Sequence, residues 1–421
     1  MSRRRLPVRP DLEQLRHQAK DLLRAVRRGD PAALAEFADH HHAPPDPART
    51  KLADAQLVLA RSYEAPSWPR LVLACRMVEA IWGDDPDTVL SLIKERPALL
   101  TEPVLIRESN WGAPMSYAAN LGRDRIIEAL HRLGATDHRH AMDRAVLQGR
   151  IETARRLHAM MGSPAVDGGM LGGAAYTLSL TGTALVLELG APVVDAAGKR
   201  IAPVDVVLES DSRKPAEKHA ILELYVRHGV VLPDTAPMAL HRGRIDLLED
   251  HLRRDPALLD RSFRHEESYP PELGCHDEVN ATHGTPLNGA TLLHMAIDYD
   301  ELEIARWLVE RGMDVNARAT VDAEGFGGHT ALFSTVVAQP NFWVNYQSRP
   351  DTAPFTRLLL GAGADPNARA SLRKQLHPGY GEHTLREYRD VTPLSWGMRF
   401  EDQRFVSGEA MRLIREAGGG E

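Results

Sequence analysis

The chain has 421 residues, a formal net charge of −7, 43% hydrophobic residues and only 5% aromatic ones. That length allows two or three ordinary domains or one extended array of repeats, with a core of Leu, Ala, Val and Ile. The modest, evenly spread charge leaves no electrostatic footprint for nucleic acid, and no run approaches the roughly 18 apolar residues of a membrane span.

The two cysteines, Cys75 and Cys275, are 200 positions apart and form neither a disulfide framework nor a Cys-x-x-Cys site. The basic start Ser2 to Arg5 is followed by Asp11 and Glu13 instead of an apolar core, so a soluble cytoplasmic protein is expected. Leu12, Leu15, Ala19, Leu22, Leu23 and Val26 then fall at helical spacing, between the starters Pro10-Asp11 and the stop Gly29. A second helix opens at Asp30-Pro31, and a rigid Ala43-Pro44-Pro45-Asp46-Pro47 linker precedes a third from Leu52 to Tyr63. This block, 1–70, suits the polar end unit that a stacked array requires.

From about Leu71, pairs of short helices recur, several of them closed by a glycine. Gly112-Ala113-Pro114-Met115-Ser116-Tyr117-Ala118-Ala119 opens one pair, and Gly134, Gly162 and Gly190 close successive pairs 28 residues apart. These units fill 71–263. The clearest unit follows: Gly289-Ala290-Thr291-Leu292-Leu293-His294-Met295-Ala296, a second helix from Glu301 to Arg311, then Gly312-Met313-Asp314-Val315-Asn316-Ala317. Over 264–421 the units carry insertions: roughly 25 residues between Phe263 and Gly289, extra sequence around Asn341–Pro354, and Leu372–Asp390 before Val391-Thr392-Pro393-Leu394-Ser395-Trp396. Long loops in a compact repeat are uncommon without a use, so this third is where binding is expected.

From about Leu71 to Gly419 these residues resemble the ankyrin-repeat family, and Gly328-His329-Thr330-Ala331-Leu332-Phe333 with Leu358 to Arg369 is a second strong match. The first helix and Pro66-Ser67-Trp68-Pro69 resemble elements preceding ankyrin repeats in bacterial proteins. The resemblance implies an all-α ankyrin solenoid with an N-terminal helical cap and enlarged C-terminal loops. It also implies a concave groove for a protein partner or extended ligand, and no shared catalytic residues or cofactor. Intervals of 28 residues mean trimmed loops in the middle units, and 138–234 lacks the Thr-Pro-Leu-His box. The box has a physical basis: Thr caps a helix through its hydroxyl, Pro fits the first turn, and Gly takes the left-handed conformation that ends the second helix.

Several residues carry possible chemistry. His294, at the box position, reads as a backbone-bonding structural residue, while His329 reads equally as structure or site. His265, Glu266, Glu267, Cys275, His276, Asp277, Glu278 and His283 include every common metal-ligand type, but their spacing fits no zinc pattern, so a solvated loop and no metal are expected. Asp298-Tyr299-Asp300 replaces a small turn and offers two carboxylates beside a tyrosine; helix capping by Asp300 is the plainer reading. Trp343, Asn345, Tyr346 and Arg349, with Trp396, Arg399 and Phe400, are the expected binding residues beside Tyr299, because Tyr, Trp and Arg dominate interface hot spots. The rival reading is an enzyme acting on a sugar-like or other small polar substrate, with Asp298, Asp300, His329 and Asp402 as acid–base groups. Phosphate-loop and nucleophile-elbow motifs are absent.

Overall fold

The computed structural model describes residues 4–276, 279–280, 284–376 and 384–421. They are mostly helical, as the repeat pattern requires, and fall into two compact units, Met1–Val166 and Asp167–Glu421.

In the first unit, Leu12–Arg27, Pro31–His40 and Leu52–Ser62 close around Leu15, Ala19, Leu22, Val26, Phe37, Val58 and Leu59. Asp11 and Asp30 cap the first two helices, with Pro31 in the first turn of the second. The cap core continues into Leu71 and Cys75 of the helix Trp68–Trp82, which begins the paired helices. Pro86–Glu95 partners that helix, and the pairs Pro114–Leu121 with Asp124–Arg132 and His138–Leu147 with Ile151–Met160 follow.

The second unit continues with pairs of the same kind. They are Leu171–Tyr176 with Leu180–Glu188, Val204–Glu209 with Pro215–Arg227, and Ala236–His241 with Ile245–Arg254. Leu292–Asp298 with Leu302–Glu310, Ala331–Val336 with Pro354–Gly361, and Pro393–Arg399 with Gly408–Glu416 complete it. First helices are buried nearly all round: every residue from Leu292 to Asp298 is buried. Second helices bury one stripe, as Ile304, Ala305, Trp307 and Leu308 do in Leu302–Glu310. Gly134, Gly162, Gly190, Gly229, Gly312 and Gly363 end second helices at φ between 81° and 101°, where a side chain would be strained.

The box works differently from the simple cap. The Thr291 hydroxyl and backbone N–H both meet His294 Nδ1, at 2.9 and 3.3 Å, and His294 Nε2 donates to His329 O at 3.2 Å. His329 Nε2 in turn donates to Pro286 O at 3.1 Å. Both imidazoles therefore pin neighbouring loops together. Those loops also pair directly, at Phe263 with Ala290 and Gly327 with Ser371. The only two-stranded sheet among the described residues, Ala370–Lys374 against Arg386–Val391, is an enlarged inter-pair loop.

Candidate functional site at the turn ends of the helix pairs

In each pair the chain reverses at one end through an inter-helix turn and leaves at the other through the loop to the next pair. Three tight turns read Gly-Arg: Gly122-Arg123, Gly149-Arg150 and Gly243-Arg244, with glycine φ of 68°, 65° and 65°. In the pair 292–310 the same two places hold Asp300, left-handed at φ 63°, and Glu301. A side chain with a charge now occupies a backbone geometry that glycine fills at no cost, and the sign at the next position is reversed.

The partner of that reversal is the longer turn 210–214 and the start of Pro215–Arg227. Arg213 Nε donates to Asp298 O at 2.7 Å, Nη2 approaches Asp298 Oδ2 at 3.3 Å, and Nη1 donates to Ser210 O at 2.6 Å. Lys218 Nζ lies 3.0 Å from Glu301 Oε1, to which His219 Nε2 also donates at 2.7 Å. Arg213, Lys218, Asp298 and Glu301 are exposed by no more than 8%. Both cations lie over the Tyr299 ring, at 4.6 and 4.2 Å from its centroid. The Tyr299 hydroxyl is held by Leu208 O at 2.9 Å and by the Tyr269 hydroxyl. His241 meets the same ring edge-on and donates from Nε2 to Ser268 O at 2.9 Å.

The electrostatics follow from burial. Burial drives Lys218 below its usual range despite Glu301, and drives Tyr299 well above its own. Glu301 is also pushed up by burial, but Lys218 and His219 more than offset that and hold it below the normal carboxylate range. Asp300 has no partner of that kind: burial first, then the Glu301 charge, raises it to about 6 against the pull of Arg213, Arg349 and Lys218. A carboxyl raised in the fold is stabilised while protonated, so its contribution is lost as pH climbs from about 4 to about 6. Asp300→Asn is therefore expected to raise the stability of the second unit by about 2 kcal/mol at pH 8 and to leave it unchanged at pH 4. Urea melts at the two pH values check this; an equal effect at both would exclude the charge as the cause.

Beside the cluster lies a pocket of about 150 Å3, bounded by Arg213, Ile297 and Asp300, the end of Ala331–Val336, and the segment 338–356. That segment is an insertion at the inter-helix turn, containing the helix Gln339–Tyr346. It is seated by Trp343 Nε1 and Gln339 Nε2, which donate to Asp211 O at 2.7 and 3.1 Å. Asn341 Nδ2 donates to Thr335 O and Val336 O, and Asn345 Nδ2 to Val406 O and Arg404 O.

The predicted residues divide sharply. Trp343, Asn345, Tyr346 and Arg349 all lie on the turn insertion, so this group extends the turn end of the helix pair and not the inter-pair loop. Tyr346 is 63% exposed and Arg349 is also exposed. Tyr299, Trp396 and Phe400 are corrected to core residues: they are exposed by 3%, 0% and 3% and have no free face for a partner. Arg399 is exposed at the end of Pro393–Arg399. One run of ring contacts nevertheless joins the two aromatic groups. Tyr346 stacks on Phe342 at 5.4 Å, followed by Phe342–Phe405 at 4.9 Å, Phe405–Phe400 at 6.2 Å and Phe400–Trp396 at 5.0 Å.

The four acid–base candidates are not brought into one pocket. Asp300 lines the pocket just described, whereas Asp298 is wholly buried against Arg213. His329 lines a separate pocket among the inter-pair loops, with Asn288, Asp322 and Arg373. Asp402 caps the turn Gln403–Phe405 and pairs with Arg404. Of the polar loop, Asp277, Glu278 and His283 lie outside the described residues; His265 begins a short helix and the His276 backbone N–H donates to Glu209 at 2.6 Å. Reading by motif missed Arg213, Lys218, His219, His241 and Tyr269. One signal was available: in Pro215–Arg227 the buried stripe is 218, 221, 222 and 225, so Lys218 stands where helical spacing calls for an apolar residue.

The ankyrin-repeat family model matches residues 288–320. These residues contain the pair Leu292–Asp298 with Leu302–Glu310, its box and its closing glycine. Residues 288–320 thus form one ankyrin repeat, a kind of unit that generally serves in protein interaction. Among solved structures it is similar to the human ASB11 ankyrin repeat domain, at 16% identity, covering 73% of this chain and 99% of that one with a TM-score of 0.26. It is also similar to the ankyrin repeat domain of Bcl-3, described as a unique member of the IkappaB protein family, at 16% identity, 65% and 97% coverage and a TM-score of 0.22. No curated protein matches.

Proposed function

We propose that residues 167–421 form a cytoplasmic protein-binding module whose contact face is the turn-end insertion, with Trp343, Asn345, Tyr346 and Arg349 at its centre. The observation that carries this reading is a large aromatic residue, Tyr346, held 63% exposed on a helix whose other side chains are anchored by hydrogen bonds. Ordered aromatic and arginine side chains lose little entropy on association, and such residues supply most of the energy at interfaces. No helix among the described residues is long and apolar enough to cross a membrane.

The test compares the native chain with a Tyr346→Ala/Arg349→Ala variant of unchanged circular dichroism and melting. A partner enriched by the native chain and confirmed with purified components should bind the variant at least tenfold more weakly, about 1.4 kcal/mol. Equal binding by both proteins would refute the assignment of this face.

A further inference from the structure

The pocket beside the buried cluster holds charges of both signs that make no direct pair with one another. Among the described residues, neither the Asp300 carboxylate nor the Arg349 guanidinium makes a side-chain hydrogen bond or an ion pair, yet both line the same pocket. Arg213, on the same wall, is already neutralised by Asp298, and Asp351 accepts from the Ser407 hydroxyl and the Glu409 N–H. One uncommitted anion and one uncommitted cation therefore face the space. Thr356, wholly buried, lines the same space, and its Oγ1 has no hydrogen-bond partner among the described residues. A buried hydroxyl left without a partner costs about 1–3 kcal/mol unless something in the pocket meets it. Trp343, Val344 and Phe355 add an apolar wall, beside the polar Ser334, Thr335, Asn341 and Thr352.

The backbone around the pocket is also strained. Asp300, Ser348 and Ala353 hold φ of 63°, 52° and 42°, values that L side chains avoid, and all three border this one space or its insertion. Strain of this kind persists where the surroundings impose it, and it clusters at ligand sites.

We propose that this pocket binds a small apolar α-amino acid as its zwitterion, the ammonium on Asp300, the carboxylate on Arg349 with the Thr356 hydroxyl, and the side chain against the apolar wall. A simple amine would leave Arg349 unmet, and a simple carboxylate would leave Asp300 unmet. Only a ligand carrying both charges a few bonds apart satisfies both, and a volume of about 150 Å3 suits a single residue, not a peptide. The site shares Trp343 and Arg349 with the partner face above, whereas Asp300 and Thr356 lie outside the inserted helix, so Asp300→Asn tests the pocket without altering that face.

Calorimetric titration of the full chain with the common amino acids tests the proposal, using leucine, 3-methylbutylamine and 4-methylpentanoate as the matched set. An apolar amino acid should bind, and each half-ligand should bind at least tenfold more weakly. Asp300→Asn and Arg349→Gln, each with its melting curve checked, should weaken the whole ligand at least tenfold. The proposal is overturned if no amino acid binds, if a half-ligand binds as well as leucine, or if both variants bind leucine unchanged.

Discussion

Arg213→Met should lower the stability of the second unit by about 3–5 kcal/mol, the largest loss expected from any single change at the turn ends. The reason is what it leaves behind. Asp298 is fully buried, and its backbone carbonyl and that of Ser210 both accept from the guanidinium. Removing one partner of a buried pair strands the other charge without solvent, which costs far more than the pair itself was worth. For a cooperative unit of this size that corresponds to a fall in Tm of about 10 °C. Adding Asp298→Asn to the Arg213→Met background should restore part of the loss by removing the stranded charge. Differential scanning calorimetry of the two variants decides it. A single variant melting within 2 °C of the parent would mean that water reaches Asp298 and that the cluster is not a dry one.

The second large effect is acid sensitivity. His241, His294 and His329 are exposed by 0%, 0% and 1%. Burial lowers all three: His241 well below its usual range, His294 to about 4 and His329 to about 3, the last helped by the neighbouring His294. The sign is fixed by the order of protonation. The unfolded chain takes up these protons near pH 6.5 and the folded chain only later, so stability is complete above 6.5 and falls as pH drops toward 4. Each histidine contributes about 1.4 kcal/mol per pH unit across that window. Asp300 works the other way over part of the range, but one carboxyl cannot offset three imidazoles. Urea midpoints measured at pH 7.5, 6 and 5 should fall steeply, and His329→Gln should flatten the slope by about 1.4 kcal/mol per unit. A profile flat down to pH 5 would show that these rings are solvated.

Much of the fold could be read before any coordinates. Helical spacing, capping Asp-Pro pairs and glycines after second helices are local signals, and local signals survive because each helix pair contacts mainly its neighbours. That Trp343 and Tyr346 stand on an insertion was legible from its length, but not that Tyr346 is exposed while Trp343 is half-buried. What escaped was pairing across the stack. Arg213 and Asp298 are 85 residues apart, and Trp343 reaches Asp211 across 132; no spacing rule connects such positions. The same blindness explains Tyr299, Trp396 and Phe400. An aromatic near a loop looks exposed in sequence, and only the packed neighbours reveal that it is enclosed. Which end of a helix pair the insertion extends was not legible either, because a long segment between glycines does not show where it emerges.

The inserted helix has one more consequence. Its Asn345 and Phe342 grip the final pair through Arg404, Val406 and Phe405. In a linear array each pair is held mainly by its neighbours, and the least braced pairs open first. Here a brace from the preceding pair crosses that boundary, so amide exchange in Gly408–Glu416 should be slowed toward the rate of the interior helices. Whatever pulls on Tyr346 also loads the brace, and occupancy there would be felt as tightening or fraying of Gly408–Glu416.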